Sequence, residues 1–325
     1  MKYHVTYEMM DRELRFSGKL IRTICPVMKE STYGMVNRGY RLFLKGKWKS
    51  EKTDCAFREI PREDGSKMRI LVVTPKGKKE NSPGFLWIHG GGYSTGVPEL
   101  DKSYMERLAA YGNCVVVSPD YRLSVEAPYP AALEDGYLAL KWLKVHAKEL
   151  GVRDDQLFVG GESAGGGLAT AVTMYAKDRK EVAVAFLLAI YPMLDDRSLT
   201  ESSKNNDAPV WNTGSNQIAW KKYLGDLYGT DKVPIYAAPA RCTDFEGLPP
   251  ICAFVGSLDP FCDETTKLIQ HYENAGIKTH FKVFDGAYHA FDTLAPKSRI
   301  GKEAIAFYME SVHYATEHYF APQSC

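Results

Sequence analysis

The segment best suited to covalent chemistry is Gly161-Glu162-Ser163-Ala164-Gly165, a serine with a glycine two residues to either side. A turn tight enough to force the serine into strained dihedrals would project its hydroxyl from a sheet edge, and the glycines let neighbouring backbone approach without colliding β-carbons. An apolar stretch ends at Gly160 and a helix-compatible one follows, so the pattern stands in a strand, turn and helix context. The helix N-terminus would set unpaired N–H groups beside the reacting atom. Five residues alone could equally be a glycine-rich turn or a phosphate cradle, but neither G-x-G-x-x-G nor G-x-x-x-x-G-K-[ST] occurs in the chain.

A second glycine signal, His89-Gly90-Gly91-Gly92, comes some seventy residues earlier, directly after an apolar run. Attack on an ester carbonyl places negative charge on oxygen, and preorganised N–H donors stabilise it. The amides of Gly90 and Gly91, with that of Ala164, are the expected donors; His89 is read as an anchor for the loop. A serine hydroxyl also needs a base, and the base a carboxylate to orient it, in the chain order Ser, Asp or Glu, His. Asp259 and His289 fit, each in a loop after a strand-like run. Asp263, Asp285 and Asp292 compete for the acid role, and His146, His271, His280, His313 and His318 fall on helices or a strand, where packing or surface roles explain them.

Positioning these groups requires parallel strands that direct their carboxyl ends to one edge. Short apolar runs at 68–73, 85–88, 114–117, 157–159, 186–190, 251–255 and 280–284 alternate with amphipathic stretches, such as the stripe Ile305, Tyr308, Met309 and Val312. The fold class is therefore α/β, a mostly parallel central sheet with helices on both faces. Residues 1–50 and 195–240 break the rhythm and are expected to form a helical cap on a catalytic domain of residues 51–325. Tyr93, Trp211, Trp220 and Tyr223 are expected in its core or against the substrate pocket.

Composition narrows the class. An apolar fraction of 45% and a charged fraction of 25% suit a globular domain, and a net charge of +1 gives no overall field toward nucleic acid or a membrane. The start lacks a continuous apolar run, and the seven cysteines are scattered with no Cys-x-x-Cys pair. A cytoplasmic protein without a structural disulfide framework is expected. Cys242, Cys252 and Cys262 are evenly spaced but lack a zinc-like histidine set, so no metal is expected. Self-association stays open.

The glycine signals, Asp259-Pro260, the His289 loop, Asp120-Tyr121-Arg122-Leu123 and the run from Glu126 to Asp135 together resemble the hormone-sensitive lipase family of bacterial carboxylesterases, over residues 54–320. The resemblance implies an α/β-hydrolase fold with a helical cap, activity on small short-acyl esters and no cofactor. Ser124-Val125 stands where Ala-Pro is usual, and Phe261-Cys262 where Leu-Arg is common, the latter beside Asp259. Acyl transfer, amide or lactone cleavage, or ligand binding without catalysis are the alternative readings for such a scaffold.

Overall fold

The computed structural model describes residues 4–24, 27–77 and 80–323. In chain order the elements are α1 (Arg15–Ile24), α2 (Glu30–Phe43), β1 (Thr53–Pro61), β2 (Lys67–Pro75), β3 (Ser82–Ile88), α3 (Lys102–Ala110), β4 (Val115–Pro119), α4 (Ala131–Val145), β5 (Val152–Glu162), α5 (Ala164–Arg179), β6 (Phe186–Ile190), α6 (Thr213–Leu224), β7 (Ile251–Gly256), α7 (Cys262–Asn274), β8 (Thr279–Phe284), α8 (Phe291–Leu294) and α9 (Arg299–His318). The strands form one sheet in the order β1-β2-β4-β3-β5-β6-β7-β8. β2 runs antiparallel to both neighbours, and all pairs from β4 to β8 are parallel. The carboxyl ends of β3, β5, β7 and β8 therefore open on one edge.

The central strands are apolar without alternation because helices cover both faces. β3, β4, β6 and β7 are buried at every residue. Each large side chain so enclosed contributes about 1.5 to 3 kcal/mol relative to an exposed one, which fixes the strand ends that carry chemistry. Seven strands were expected, and the sheet adds an eighth, β1, paired with β2 from Thr53 opposite Pro75 to Pro61 opposite Lys67. It is an edge strand whose buried residues are Thr53 and Ile60. Exposure of Asp54, Phe57, Arg58 and Glu59 removes the apolar run by which the others are recognised.

Residues 4–50 and 195–240 contribute helices and turns but no strand among the described residues. Polar contacts join the two segments: Val5 N–H donates to Asp207 Oδ1 at 2.8 Å, Arg22 Nη2 to the Asp207 carbonyl at 2.9 Å, and Met28 N–H to Ser215 Oγ at 3.0 Å. Lys222 pairs with Glu30 at 2.8 Å. Asn37 joins α2 to the loop after β3, donating to the Ser94 carbonyl and accepting from Gly96 N–H.

Candidate active site

Ser163 lies between the end of β5 and the start of α5 with φ 58° and ψ −124°, a conformation that L-residues rarely adopt. Its neighbours explain how this turn is held. A β-carbon on Gly161 would come within 2.4 Å of the Gly165 and Ile88 carbonyl oxygens, and one on Gly165 within 2.1 Å of Ile88 O. The elbow is thus pressed backbone to backbone against the end of β3. Ser163 N–H donates to Ile190 O on β6, and Ser163 O accepts from Gly167 and Met193 N–H, so three backbone bonds fix the strained residue.

The hydroxyl of Ser163 stands 2.8 Å from His289 Nε2, and His289 Nδ1 stands 2.7 Å from Asp259 Oδ2. An ionised carboxylate only accepts, so Nδ1 carries the ring proton and Nε2 is free to accept from the serine. That is the tautomer a general base requires. Asp259 is 0% exposed; its other oxygen, Oδ1, accepts from Phe261 N–H at 2.9 Å. The competing acids are engaged elsewhere. Asp263 accepts from Ser202 N–H, Asp285 from the Ser257 hydroxyl, and Asp292 from the hydroxyls of Tyr104 and Tyr191. His146, His280 and His313 bond to Trp142 O, the Tyr319 hydroxyl and Tyr111 O, while His271 stacks on Phe245 and His318 lies tilted against Tyr314, so none joins the cluster.

The glycine loop requires one correction. Gly90 N–H is not free to face a substrate, because it donates to Glu162 Oε1 at 2.9 Å. Among the described residues no protein acceptor faces the amides of Gly91, Gly92 or Ala164. Three consecutive glycines give no signal as to which amide turns inward, whereas the carboxylate one residue before the nucleophile selects Gly90. Glu162 thus links the glycine loop to the elbow. Desolvation, together with the carboxyls of Asp101 and Asp292, pushes the Glu162 pKa well above the usual carboxylate range, although the Gly90 bond favours its charged form.

His89 anchors the same loop. Its Nδ1 lies 2.8 Å from the Gly90 carbonyl and must donate to it, while the ring stacks on Tyr121 with centroids 4.4 Å apart. Tyr121 returns a hydrogen bond to the His89 carbonyl at 2.9 Å. Burial pushes the His89 pKa down, which keeps the ring neutral. The four aromatic residues singled out earlier divide in two. Tyr93 stacks on Tyr223 at 3.8 Å and tilts against Trp220, joining the β3 loop to α6. Trp211 alone reaches the reacting groups: its ring lies 6.3 Å from that of His289, and a β-carbon on Gly92 would come within 2.4 Å of it.

Among the described residues no cluster of His, Cys, Asp or Glu is arranged for a metal ion. Burial pushes the thiols of Cys252 and Cys262 up to about 12. No helix among the described residues is long and apolar enough to cross a membrane.

A family model described as the α/β-hydrolase fold matches residues 85–293. Esterase LipI of Mycobacterium tuberculosis is 32% identical over 197 residues, 60% of this chain and 61% of that protein, so the aligned region spans about three fifths of LipI. Carboxylesterase NlhH of the same organism is 31% identical over 231 residues, 70% of this chain and 72% of that protein. Among solved structures, a bacterial heroin esterase superposes with a TM-score of 0.88 and 31% identity, covering 96% of this chain and 99% of that one. The chain belongs to the α/β-hydrolase fold family, in the hormone-sensitive lipase family of serine carboxylesterases.

Proposed function

We propose that this chain hydrolyses small, short-acyl carboxylic esters through an acyl-enzyme on Ser163, with His289 as base and Asp259 as the acid that orients it. The hydrogen-bonded series from Asp259 through His289 to a strained Ser163 carries this reading. His289 Nε2 takes the hydroxyl proton as Ser163 Oγ bonds to the carbonyl carbon, and the carbonyl π electrons move to oxygen. The amides of Gly91, Gly92 and Ala164 hold that oxyanion; in another serine hydrolase, loss of one such donor costs about 2.7 to 4 kcal/mol. Collapse breaks the ester C–O bond, and the imidazolium gives its proton to the departing alcohol. Water, deprotonated by the same imidazole, then attacks the acyl-serine and releases the acid.

Residues 4–50 and 195–240 act as the cap over this centre, with Trp211 as the cap residue nearest the acyl group. Ser163 is only 4% exposed and His289 3%, so the substrate must enter past these segments. The names of the esterase relatives support ester hydrolysis; the bond type itself is tested by product analysis, because transfer to an alcohol uses the same acyl-enzyme. A fluorophosphonate should label Ser163 with one equivalent, and Ser163→Ala should abolish labelling and lower ester turnover by roughly 10⁴-fold or more. Stoichiometric labelling at another residue would overturn the assignment.

A further inference from the structure

Helix α1 presents three of its four large apolar residues to the wrong side for a packing helix. Phe16, Leu20 and Ile24 recur at every fourth position, so they line one face, and they are 79%, 48% and 72% exposed. Away from that stripe lie Ser17, Gly18 and Arg22, with Ile21 half-buried among them. Gly18 is buried, and a β-carbon there would meet Met10 Sδ at 2.8 Å and Tyr288 Cε1 at 3.0 Å; Ser17 Oγ bonds to the Tyr288 hydroxyl at 2.7 Å, and Arg22 bonds to Asp207. These contacts hold the helix in one orientation, with Phe16, Leu20 and Ile24 outward.

The charge of the same segment is equally uneven. Residues 1–50 hold eleven Lys and Arg against four Asp and Glu, a balance of +7, whereas the remaining 275 residues hold 30 against 36, a balance of −6. Arg12 is exposed in the turn just before α1 and Lys19 in the middle of the helix, Lys29 precedes α2, and Arg38 lies on the outer face of α2 between Met35 and Leu42. Among the described residues none of these four cations is paired with a carboxylate.

An outward apolar stripe bordered by unpaired cations complements an interface that is negative at its surface and apolar beneath. We infer that the outer face of α1, with the adjoining cations of α2, docks this enzyme in the plane of an anionic lipid surface, where Phe16, Leu20 and Ile24 insert between headgroups. A second copy of the chain would cover the apolar stripe as well, but a two-fold contact would bring two segments of +7 together. The charge therefore selects the lipid. Docking needs no spanning helix and is reversible, because the inserted area is small and the attraction is screened by salt.

The test is flotation of the full chain with vesicles of pure phosphatidylcholine or of an equimolar phosphatidylcholine and phosphatidylglycerol mixture. Binding is expected to the mixed vesicles at low salt, to fall steeply at high salt and to be weak on phosphatidylcholine alone. The triple substitution Phe16→Ser, Leu20→Ser, Ile24→Ser should weaken binding by more than about tenfold with an unchanged unfolding temperature, since these side chains lie outside the core. Should that variant fail to fold, Arg12→Glu with Lys19→Glu provides an independent comparison and should remove the preference for anionic vesicles. Equal affinity for both vesicle types, retention of binding by a folded variant, or no binding at low salt would overturn the inference. So would a concentration-dependent dimer in sedimentation velocity that the apolar substitutions dissolve without any vesicle binding. None of these readouts depends on ester turnover.

Discussion

At the end of β5 a single added methyl group has no room, while on the outer side of α1 three large side chains stand in solvent. The two features answer to different constraints. The elbow is fixed by backbone packing, so its residue types follow from geometry. The helix is fixed by a buried glycine and a few polar bonds, which leaves its outer face free to serve something outside the fold. High packing density makes a site rigid, and its absence makes a surface available.

The largest effect separating these regions should come from Gly165→Ala. Its β-carbon would lie 2.1 Å from Ile88 O and 2.6 Å from His89 O, both backbone atoms that cannot move without shifting β3. Loss of fluorophosphonate labelling is expected, together with destabilisation of about 3 kcal/mol or more in urea unfolding. Leu20→Ser, by contrast, should change stability by less than about 0.5 kcal/mol. A folded, normally labelled Gly165→Ala enzyme would erase the distinction.

A smaller effect is expected between core and cap. Trp211→Ala removes a ring that lies over Gly92 and beside His289, and is held by a bond from its Nε1 to Asn216 Oδ1 at 3.2 Å. Relative kcat/KM for longer acyl chains over acetate should rise roughly tenfold across a p-nitrophenyl ester series. An unchanged ranking would make Trp211 a residue that holds the cap together and leaves the substrate untouched.

The smallest effect belongs to the buried acids beneath the site. Asp101 accepts from Trp87 Nε1 at 2.8 Å, and burial, aided by Asp292, pushes its pKa up to about 7. In the unfolded chain the same group titrates near 3.9. Its contribution to stability is therefore complete below about pH 4 and is lost as pH rises through about 7, at up to about 1.4 kcal/mol per unit. Asp101→Asn keeps an oxygen for Trp87 and should flatten that decline, gaining about 2 to 3 kcal/mol over the wild type between pH 5 and pH 8. Parallel unfolding curves at both pH values would show that Asp101 does not titrate in this range.

Sequence made the central strands legible because burial on both faces writes continuous apolar runs, and it made Ser163, Asp259 and His289 legible because glycine turns and strand ends leave few candidates. β1 was hidden by its place at the sheet edge, where charged residues are tolerated. The engagement of Gly90 by Glu162 was hidden because three glycines in succession read alike. The outer face of α1 was hidden for another reason: helical periodicity identifies an apolar stripe but not the direction it faces, and only the contacts of Gly18 settle it. Whole-chain charge concealed the same segment, since +7 and −6 nearly cancel.

At residue 261, backbone and side chain have separate tasks. The Phe261 N–H holds Asp259 Oδ1, while its ring stands edge-on to His289 at 5.2 Å. The acid and base loops are also joined by their main chains, through Leu258 N–H to Ala287 O and Ser257 N–H to Phe284 O. Any residue other than proline can supply the first bond, but the ring is fully buried against Trp211 and His289, so an engineer can vary this side chain only among residues of similar volume. Such a change redraws the wall beside the imidazole while the loops carrying the acid and base, 2.7 Å apart, stay joined by main-chain bonds at other residues.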